Sequence, residues 1–262
     1  MGPSSLTWLD VNSWQFDLAG RRILVDPWLV GDLVFGNAPW LIRGMRPQPV
    51  AVPEGVDLLL LSQGLADHAH PDTLDILDKS LPVVASQAGA KVASDKGFTN
   101  VTALEPGQSY RLGEAVLIEA LPGAPLGPLV QENAYILTEL ATGLRLYYEP
   151  HGYPAEQLEQ LPPVDVAITP LVSLTLPLLG PVIRGGEGAL ELAQKAKPQW
   201  LLPTADGKTV TYEGVVAKLL QASGGAEVVR SQLAEAGLLT QVKTPDPMAA
   251  LSLDLSPQTA AP

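Results

Sequence analysis

The chain has 262 residues and a formal net charge of -12 at pH 7. This charge argues against nucleic-acid binding, which needs a cationic surface that displaces counterions from phosphates, and against electrostatic docking on anionic lipids. Because the chain has no cysteine, disulfides, thiolate metal sites and cysteine nucleophiles are excluded. No apolar run reaches the ~20 residues of a transmembrane helix, and the N-terminal segment lacks the pattern of a secretory signal, so we expect a cytoplasmic protein.

The hydrophobic pattern predicts short strands that alternate with helices and are joined by turns rich in Gly and Pro. In chain order, the predicted strands cover 6–18 as a strand pair, then 22–25, 56–61, 82–85, 101–104, 109–112, 116–120, 133–139, 144–148, 164–169 and 199–203. The predicted helices cover 71–79, 88–96, 153–161, 186–196, 210–223 and 231–236, and a long loop covers 28–53. The alternation indicates one α/β layered domain over residues 1–243, and the composition of 244–262 predicts a flexible C-terminal tail.

Five sequence blocks stand in an order that is typical of one family. They are ILVDP at 23–27, VDLLLLS at 56–62, LYYEPHGY at 146–153, VDVAITPL at 164–171 and WLLPTADG at 200–207. With these blocks the chain resembles the metallo-β-lactamase superfamily, and within it the lactonase-like hydrolases. The resemblance implies a four-layer αββα sandwich whose strand ends face the site.

The family's two-metal motif is incomplete in this chain. The signature H-x-H-x-D-H reads Gln63-Gly64-Leu65-Ala66-Asp67-His68, and the stretch LPGAPLGP at 121–128, where the next His is expected, has none. Leucine cannot bind a metal and glutamine is a poor zinc ligand, so the resemblance argues against a two-metal site. Asp67 and His68, with His151 in place of the bridging Asp, would leave a site for one zinc, iron or manganese ion with an open position. A site without metal is the alternative.

The only three histidines of the chain fall in the two loops that the resemblance places at the site. Histidine titrates near neutral pH and serves as a metal ligand or proton-transfer group. We therefore predict Asp67, His68 and Glu149 as catalytic residues. A structural alternative stays open, in which Asp67 caps the helix that begins at Pro71. Asp26, at the family's Asp-Pro position, is predicted to brace its loop by a hydrogen bond.

Two apolar loops predict the kind of ligand. They lie around 28–42 and 171–179, and the resemblance places them beside the cleft, where they suit an apolar small molecule. The predicted substrate-binding residues are Gln63, Leu65, His70, Trp28 and Trp40. The same loops would also suit a protein partner or a homodimer interface, or fold over the sandwich edges as core.

Two functions remain open from the sequence. The first is a hydrolase of a small apolar ester or lactone that uses one metal or none. The second is a non-catalytic ligand-binding or assembly protein without metal, favoured by Gln63, Leu65 and Ala205 at ligand positions. The segment SQGLADHAHP at 62–71 is similar to a divergent group of cyanobacteria and chloroplasts, which implies a cytoplasmic or stromal protein.

Overall fold

A computed structural model describes residues 3–125 and 131–258, and short strands dominate it. In chain order the strands are β1 (Ser5–Trp8), β2 (Trp14–Leu18), β3 (Arg21–Val25), β4 (Leu33–Val34), β5 (Arg43–Met45), β6 (Leu58–Leu61), β7 (Val83–Ala85), β8 (Val101–Ala103), β9 (Ser109–Leu112), β10 (Val116–Pro125), β11 (Gln131–Glu139), β12 (Arg145–Tyr148), β13 (Val166–Ile168), β14 (Val172–Leu176), β15 (Gly180–Ile183), β16 (Trp200–Leu202), β17 (Thr211–Glu213), β18 (Gln221–Gly224), β19 (Gln241–Val242) and β20 (Ala250–Ser252). The helices are α1 (Pro71–Ile76), α2 (Gln87–Asp95), α3 (Gly186–Ala196), α4 (Val215–Leu219) and α5 (Ala226–Glu235), and a 3₁₀ helix covers Glu156–Gln160.

Two seven-stranded sheets form the centre of the fold. Their strand orders are β20-β1-β2-β3-β6-β7-β8 and β19-β16-β13-β12-β11-β10-β9. Strands β3, β6, β7 and β8 run parallel in the first sheet, as do β12, β13, β16 and β19 in the second. Parallel strands are usually covered on both faces, so each sheet needs an apolar layer on either side.

The burial of β6 shows how the layers are arranged. Leu58 and Leu60 join the apolar cluster between the two sheets, whereas Leu59 and Leu61 join a second cluster with residues of α1 and α2. In the second sheet, Tyr147 points outward into a cluster with residues of α3 and α5. Helices therefore cover the outer face of each sheet, and the predicted αββα sandwich is confirmed.

Two small sheets lie where the sequence predicted other structure. They have the orders β15-β14-β18 and β17-β5-β4. The predicted helix over 210–223 is wrong, because β17, α4 and β18 occupy it. Gly214 separates β17 from α4 with a φ of +106°, and a Cβ there would lie 2.7 Å from the carbonyl oxygen of Leu41. The helical periodicity of this segment is therefore interrupted by a close backbone approach.

The C-terminal segment contains a short strand. Strand β20 pairs antiparallel with β1, and Leu253 is buried in the cluster between the sheets. Within the predicted flexible tail, β20 thus forms the edge of the first sheet, while residues 259–262 lie outside the described residues. Among the residues that the structure describes, no helix has the length and apolar character to cross a membrane.

Candidate functional site

The candidate site lies where parallel strands end. Asp26 follows β3, Gln63 comes two residues after β6, and Glu149 follows β12. Strand β3 pairs with β6 in one sheet, and β12 belongs to the facing sheet. Their side chains consequently approach one another at one end of the sandwich. The sequence analysis predicted that these strand ends face the site.

Three predicted metal-ligating residues meet at this end. Asp67, His68 and His151 are the one cluster of His and carboxylate donors with metal-like spacing among the described residues, and their donor atoms lie within 4.8 Å of one another. Nε2 of His68 is 3.1 Å from Oδ2 of Asp67, and the rings of His68 and His151 have centroids 5.1 Å apart. Both histidines are buried.

His68 is held by the sheet through Asp26. Its Nδ1 donates to Oδ2 of Asp26 at 2.8 Å, and Tyr148 donates its hydroxyl to the same oxygen at 2.7 Å. Burial disfavours a charged imidazole, but the carboxylates of Asp67 and Asp26 outweigh it and raise the pKa of His68 to about 10. Asp26 therefore braces its loop, as predicted for this residue, and also fixes the ring of His68.

Asp67 is half-buried, and it lies beside a side chain that the sequence analysis missed. Burial favours the neutral acid, but the neighbouring His68 outweighs it and lowers the pKa of the Asp67 carboxyl. Asn12 places Nδ2 at 3.4 Å from Oδ2 of Asp67 and at 3.1 Å from Nε2 of His68. Asn12 lies in the β1–β2 turn, where no motif marks it. The alternative role of Asp67 as a helix cap is wrong, because His70 caps α1.

His151 is neutral and is held by Gln63. Nε2 of Gln63 lies 3.0 Å from Nδ1 of His151, and burial lowers the pKa of His151 to about 4. A neutral imidazole is the form that binds metals. Oε1 of Gln63 and Oδ1 of Asp67 are buried oxygens without a hydrogen-bond partner among the described residues. Such orphaned atoms are rare in proteins and point to a ligand or water beside them.

Glu149 is part of the loop rather than of the donor cluster. Its carboxylate accepts the backbone N–H groups of His151, Gly152 and Tyr153 at 3.1, 2.6 and 2.7 Å. Burial nevertheless raises the pKa of Glu149 to about 7. Both oxygens accept backbone N–H groups, so Glu149 holds the loop that carries His151. Its predicted catalytic role stays a prediction.

His70 and Trp28 form hydrogen bonds within the fold. Nδ1 of His70 accepts from the backbone N–H of Thr73 at 3.3 Å, and Nε2 is 3.2 Å from the carbonyl oxygen of Asp32. Trp28 is completely buried and donates Nε1 to the carbonyl of Gly31 at 3.0 Å. The polar atoms of both side chains therefore have partners within the fold, and the predicted contacts of these residues with substrate stay predictions.

A large apolar cavity opens beside the donor cluster. Its volume is about 520 Å³, and its polar side chains, which form its polar end, belong to Asn12, Asp67, Asp206 and Tyr212. The two small sheets and α4 supply most of its walls, with apolar side chains such as Leu33, Leu174 and Val210. The predicted apolar loops therefore do flank a cleft. Of the five predicted substrate-binding residues, Gln63, Leu65, His70, Trp28 and Trp40, none lines this cavity.

This sandwich, with His and Asp donors where its strands end, is of the metallo-β-lactamase type. A family profile described as the beta-lactamase superfamily domain matches residues 5–205, and the chain belongs to this family. No curated protein gives a significant sequence match.

Several solved structures have a similar fold. Igni18, described as a novel metallo hydrolase of Ignicoccus hospitalis KIN4/I, is 15% identical with a TM-score of 0.67, over 97% of this chain and 100% of that one. An isothiocyanate hydrolase from Delia radicum gut bacteria is 17% identical with a TM-score of 0.70, over 95% and 98%. YhfI of Bacillus subtilis, a metallo-beta-lactamase fold protein, is 16% identical with a TM-score of 0.61, over 95% and 99%. At these identities the similarity shows the fold alone.

Proposed function

We propose that the protein is a hydrolase with a single divalent cation, acting on a small apolar molecule of the ester or lactone type. The observation that carries this proposal is the position of Asp67. Its carboxylate belongs to the three-donor cluster and also forms the polar end of the apolar cavity. A substrate whose apolar part fills the cavity would therefore bring its polar group to the donors.

The donor set fits a cation of this class. Two imidazoles and one carboxylate suit zinc, iron or manganese, and three protein ligands leave a position open. Because the pKa of His68 is raised, the cation would bind Nε2 of His68 only by displacing a proton from it. The hydrogen bond from His68 to Asp26 is the outer contact that metal-bound histidines usually make. The two orphaned oxygens, on Gln63 and Asp67, are also explained by a group that the side chains alone do not supply.

Asp67, His68 and His151 would hold the cation, which would supply an activated water and polarise a carbonyl group. The chain's own residues have separate tasks. Asp26 keeps Nε2 of His68 directed toward the other donors, and Gln63 holds the ring of His151. Asn12 presents an amide N–H at the polar end of the cavity, where it can donate to a substrate oxygen.

The apolar walls would bind the rest of the substrate and exclude water from the reacting group. Their side chains come from Leu33 in β4, from Leu174 in β14 and from Ala222 in β18, which lies opposite Leu174. A pocket with many apolar side chains and few polar groups is typical of small-molecule sites. The proposed substrate class rests on this composition.

A second candidate is a metal-free binding protein. One observation favours it: both ring nitrogens of His68 already face hydrogen-bond partners, Asp26 on one side and Asp67 with Asn12 on the other. Both ring nitrogens of His68 therefore have partners without a cation. In this case the cavity would bind an apolar ligand, and no turnover would follow.

Elemental mass spectrometry on untagged protein purified without chelator separates the two candidates. We expect about one equivalent of metal in the wild type and its loss in His68→Ala and in His151→Ala. His70→Ala is a matched control, because it removes a buried histidine two positions away that serves α1, and it should keep the metal. A wild type that stays metal-free after incubation with zinc, iron and manganese in turn would decide for the metal-free protein.

The substrate class is tested by filling the cavity. Ala222→Trp should leave the metal content unchanged and shift the preference in a series of esters toward shorter acyl chains. Ala141→Trp, in the exposed turn between β11 and β12, is the control for the added ring and should leave the preference as it is. An unchanged preference in Ala222→Trp would show that the cavity does not bind the acyl chain of the substrate.

A further inference from the structure

Five large apolar side chains are exposed around one region of the surface. They are Trp40, Leu178, Leu179, Val215 and Leu219, with 69%, 107%, 81%, 50% and 50% of their surface exposed. Two adjacent leucines with so much exposed surface are unusual. A contiguous exposed apolar patch commonly marks an interaction site. These five residues are called the apolar rim below.

Backbone contacts connect the segments that carry the apolar rim. The backbone N–H of Val215 donates to the carbonyl of Trp40 at 3.1 Å. Val215 and Leu219 are four residues apart in α4 and therefore share a face of it. Gln221 pairs with Thr175 across β18 and β14, so the chain just before β18, with Leu219, runs beside the turn that carries Leu178 and Leu179.

The apolar rim borders the mouth of the cavity. Val216 and Leu220 line the cavity, and each of them directly follows a residue of the rim, Val215 or Leu219. Leu176 and Val182, on either side of the turn with the two leucines, also line it. An apolar ligand that leaves the cavity would therefore meet the rim next.

The charge around the mouth is distributed unlike that of the whole chain. Segments 33–42, 172–183 and 214–226 contain one charged side chain, Lys218, although the chain has a net charge of -12. The charged residues that flank these segments have both signs, as with Arg43, Arg184 and Glu213. Two copies with this net charge repel each other, which disfavours self-association through the rim. An uncharged lipid surface presents no such repulsion, and exposed aliphatic side chains with a tryptophan are typical of residues at the membrane interface.

We propose that the apolar rim docks on the surface of an uncharged, zwitterionic lipid bilayer, with Leu178 and Leu179 in the outer acyl region. The mouth of the cavity then faces the lipid. Docking of this kind needs no membrane-spanning helix, since the leucines at the turn enter only the interface. That an apolar substrate reaches the cavity from the bilayer is a consequence that rests on the proposed function, whereas the docking itself does not.

Flotation with phosphatidylcholine vesicles tests the docking. The full chain should float with the vesicles, and Leu178→Asp/Leu179→Asp should weaken binding about a hundredfold, since burying each leucine contributes at least about tenfold. Leu239→Asp/Met248→Asp is the matched control, because it adds the same charge at two exposed apolar residues outside the rim. It should bind like the wild type, and thermal melting should show all three proteins folded.

The proposal is overturned if the wild type stays with the lipid-free fraction, or if the double leucine variant floats as well as the control. Sedimentation velocity tests whether the rim instead binds a second copy of the chain. A dimer that only the leucine variant loses, in a wild type that does not bind vesicles, would assign the rim to self-association. These measurements need neither metal nor turnover, so a failure of lipid docking is distinguishable from a failure of the proposed hydrolase.

Discussion

Oδ2 of Asp26 accepts a hydrogen bond from Nδ1 of His68 at 2.8 Å, and both side chains are completely buried. Asp26 directly follows β3 of the first sheet, while His68 lies in the loop that follows β6, so the contact connects the candidate site to the sandwich. Tyr148 donates to the same carboxylate from the second sheet. The orientation of His68 is consequently set by both sheets.

Replacing Asp26 with asparagine should weaken both the site and the fold. Asp26 has a φ of +41°, a region that asparagine tolerates, so Asp26→Asn changes the charge with little backbone strain. The free energy of unfolding should fall by about 3 kcal/mol, since a buried charged partner of His68 is lost. The affinity for zinc should fall by about 10- to 100-fold, because Nδ1 of His68 loses its carboxylate. Urea unfolding and competition with a chelator measure the two effects.

Asp95→Asn is the control for this prediction. Asp95 forms an exposed pair with Lys91 along α2, and such pairs contribute roughly 0.5 kcal/mol or less. Unchanged zinc affinity in Asp26→Asn would mean that His68 is not a ligand, and it would favour the metal-free candidate.

Asn12 should matter for turnover rather than for metal binding. If its amide donates to a substrate oxygen, Asn12→Ala should lower kcat/KM for an apolar ester by about a hundredfold, as the loss of one such donor does in other hydrolases. The metal content should stay at the wild-type level, because three ligands remain. Steady-state kinetics beside elemental analysis checks this, with Asn37→Ala as the control, because Asn37 is exposed between β4 and β5 and does not line the cavity. Loss of metal together with activity would instead make Asn12 a part of the metal site.

The strand ends of the site could be predicted from the sequence, whereas the roles of several side chains could not. Buried strands such as β6 are continuous apolar runs, and the polar residues that follow them mark the site. His70 and Glu149 looked functional because of their residue types. Their hydrogen bonds go to backbone groups, including the carbonyl of Asp32 and the N–H of Gly152, whose positions only the folded loops define.

The small sheets were missed for a related reason. Strand β5 pairs with β17 between Met45 and Thr211, far apart in the sequence, and β14 pairs with β18 between Val172 and Gly224. Strands this short carry little periodicity of their own, so pairing rather than local pattern defines them. The cavity lies between these sheets, and its lining was therefore predictable only as apolar loops.

Glu132 should make stability depend on pH. Its side chain is buried, one carboxylate oxygen has no partner among the described residues, and burial raises its pKa above the usual 4.5. Between 4.5 and the folded pKa, the folded state binds more protons than the unfolded state, so stability falls as pH rises through this window. Glu132→Gln is neutral at every pH and should be more stable than the wild type at pH 8, with the difference disappearing near pH 4. Urea unfolding at both pH values measures it, and an equal effect at both would show that the cause is packing.

Leu253 tests whether the C-terminal segment belongs to the core. It is buried between the sheets next to β20, which pairs with β1. Leu253→Ala should lower the free energy of unfolding by about 2 to 3 kcal/mol, the usual cost of truncating a buried leucine. The change is measured by urea unfolding at pH 7.

Leu239→Ala provides the comparison, because Leu239 is 95% exposed and lies in the chain between α5 and β19. Truncating an exposed side chain should change stability by less than about 0.5 kcal/mol. Hydrogen exchange adds an independent measurement: the amides of β20 that bond to β1 should be protected together with the central strands, because an edge strand that packs on the core opens only when the sheet opens. Similar stabilities for the two leucine variants, with rapid exchange in β20, would instead show that this segment is the flexible tail that its composition predicts.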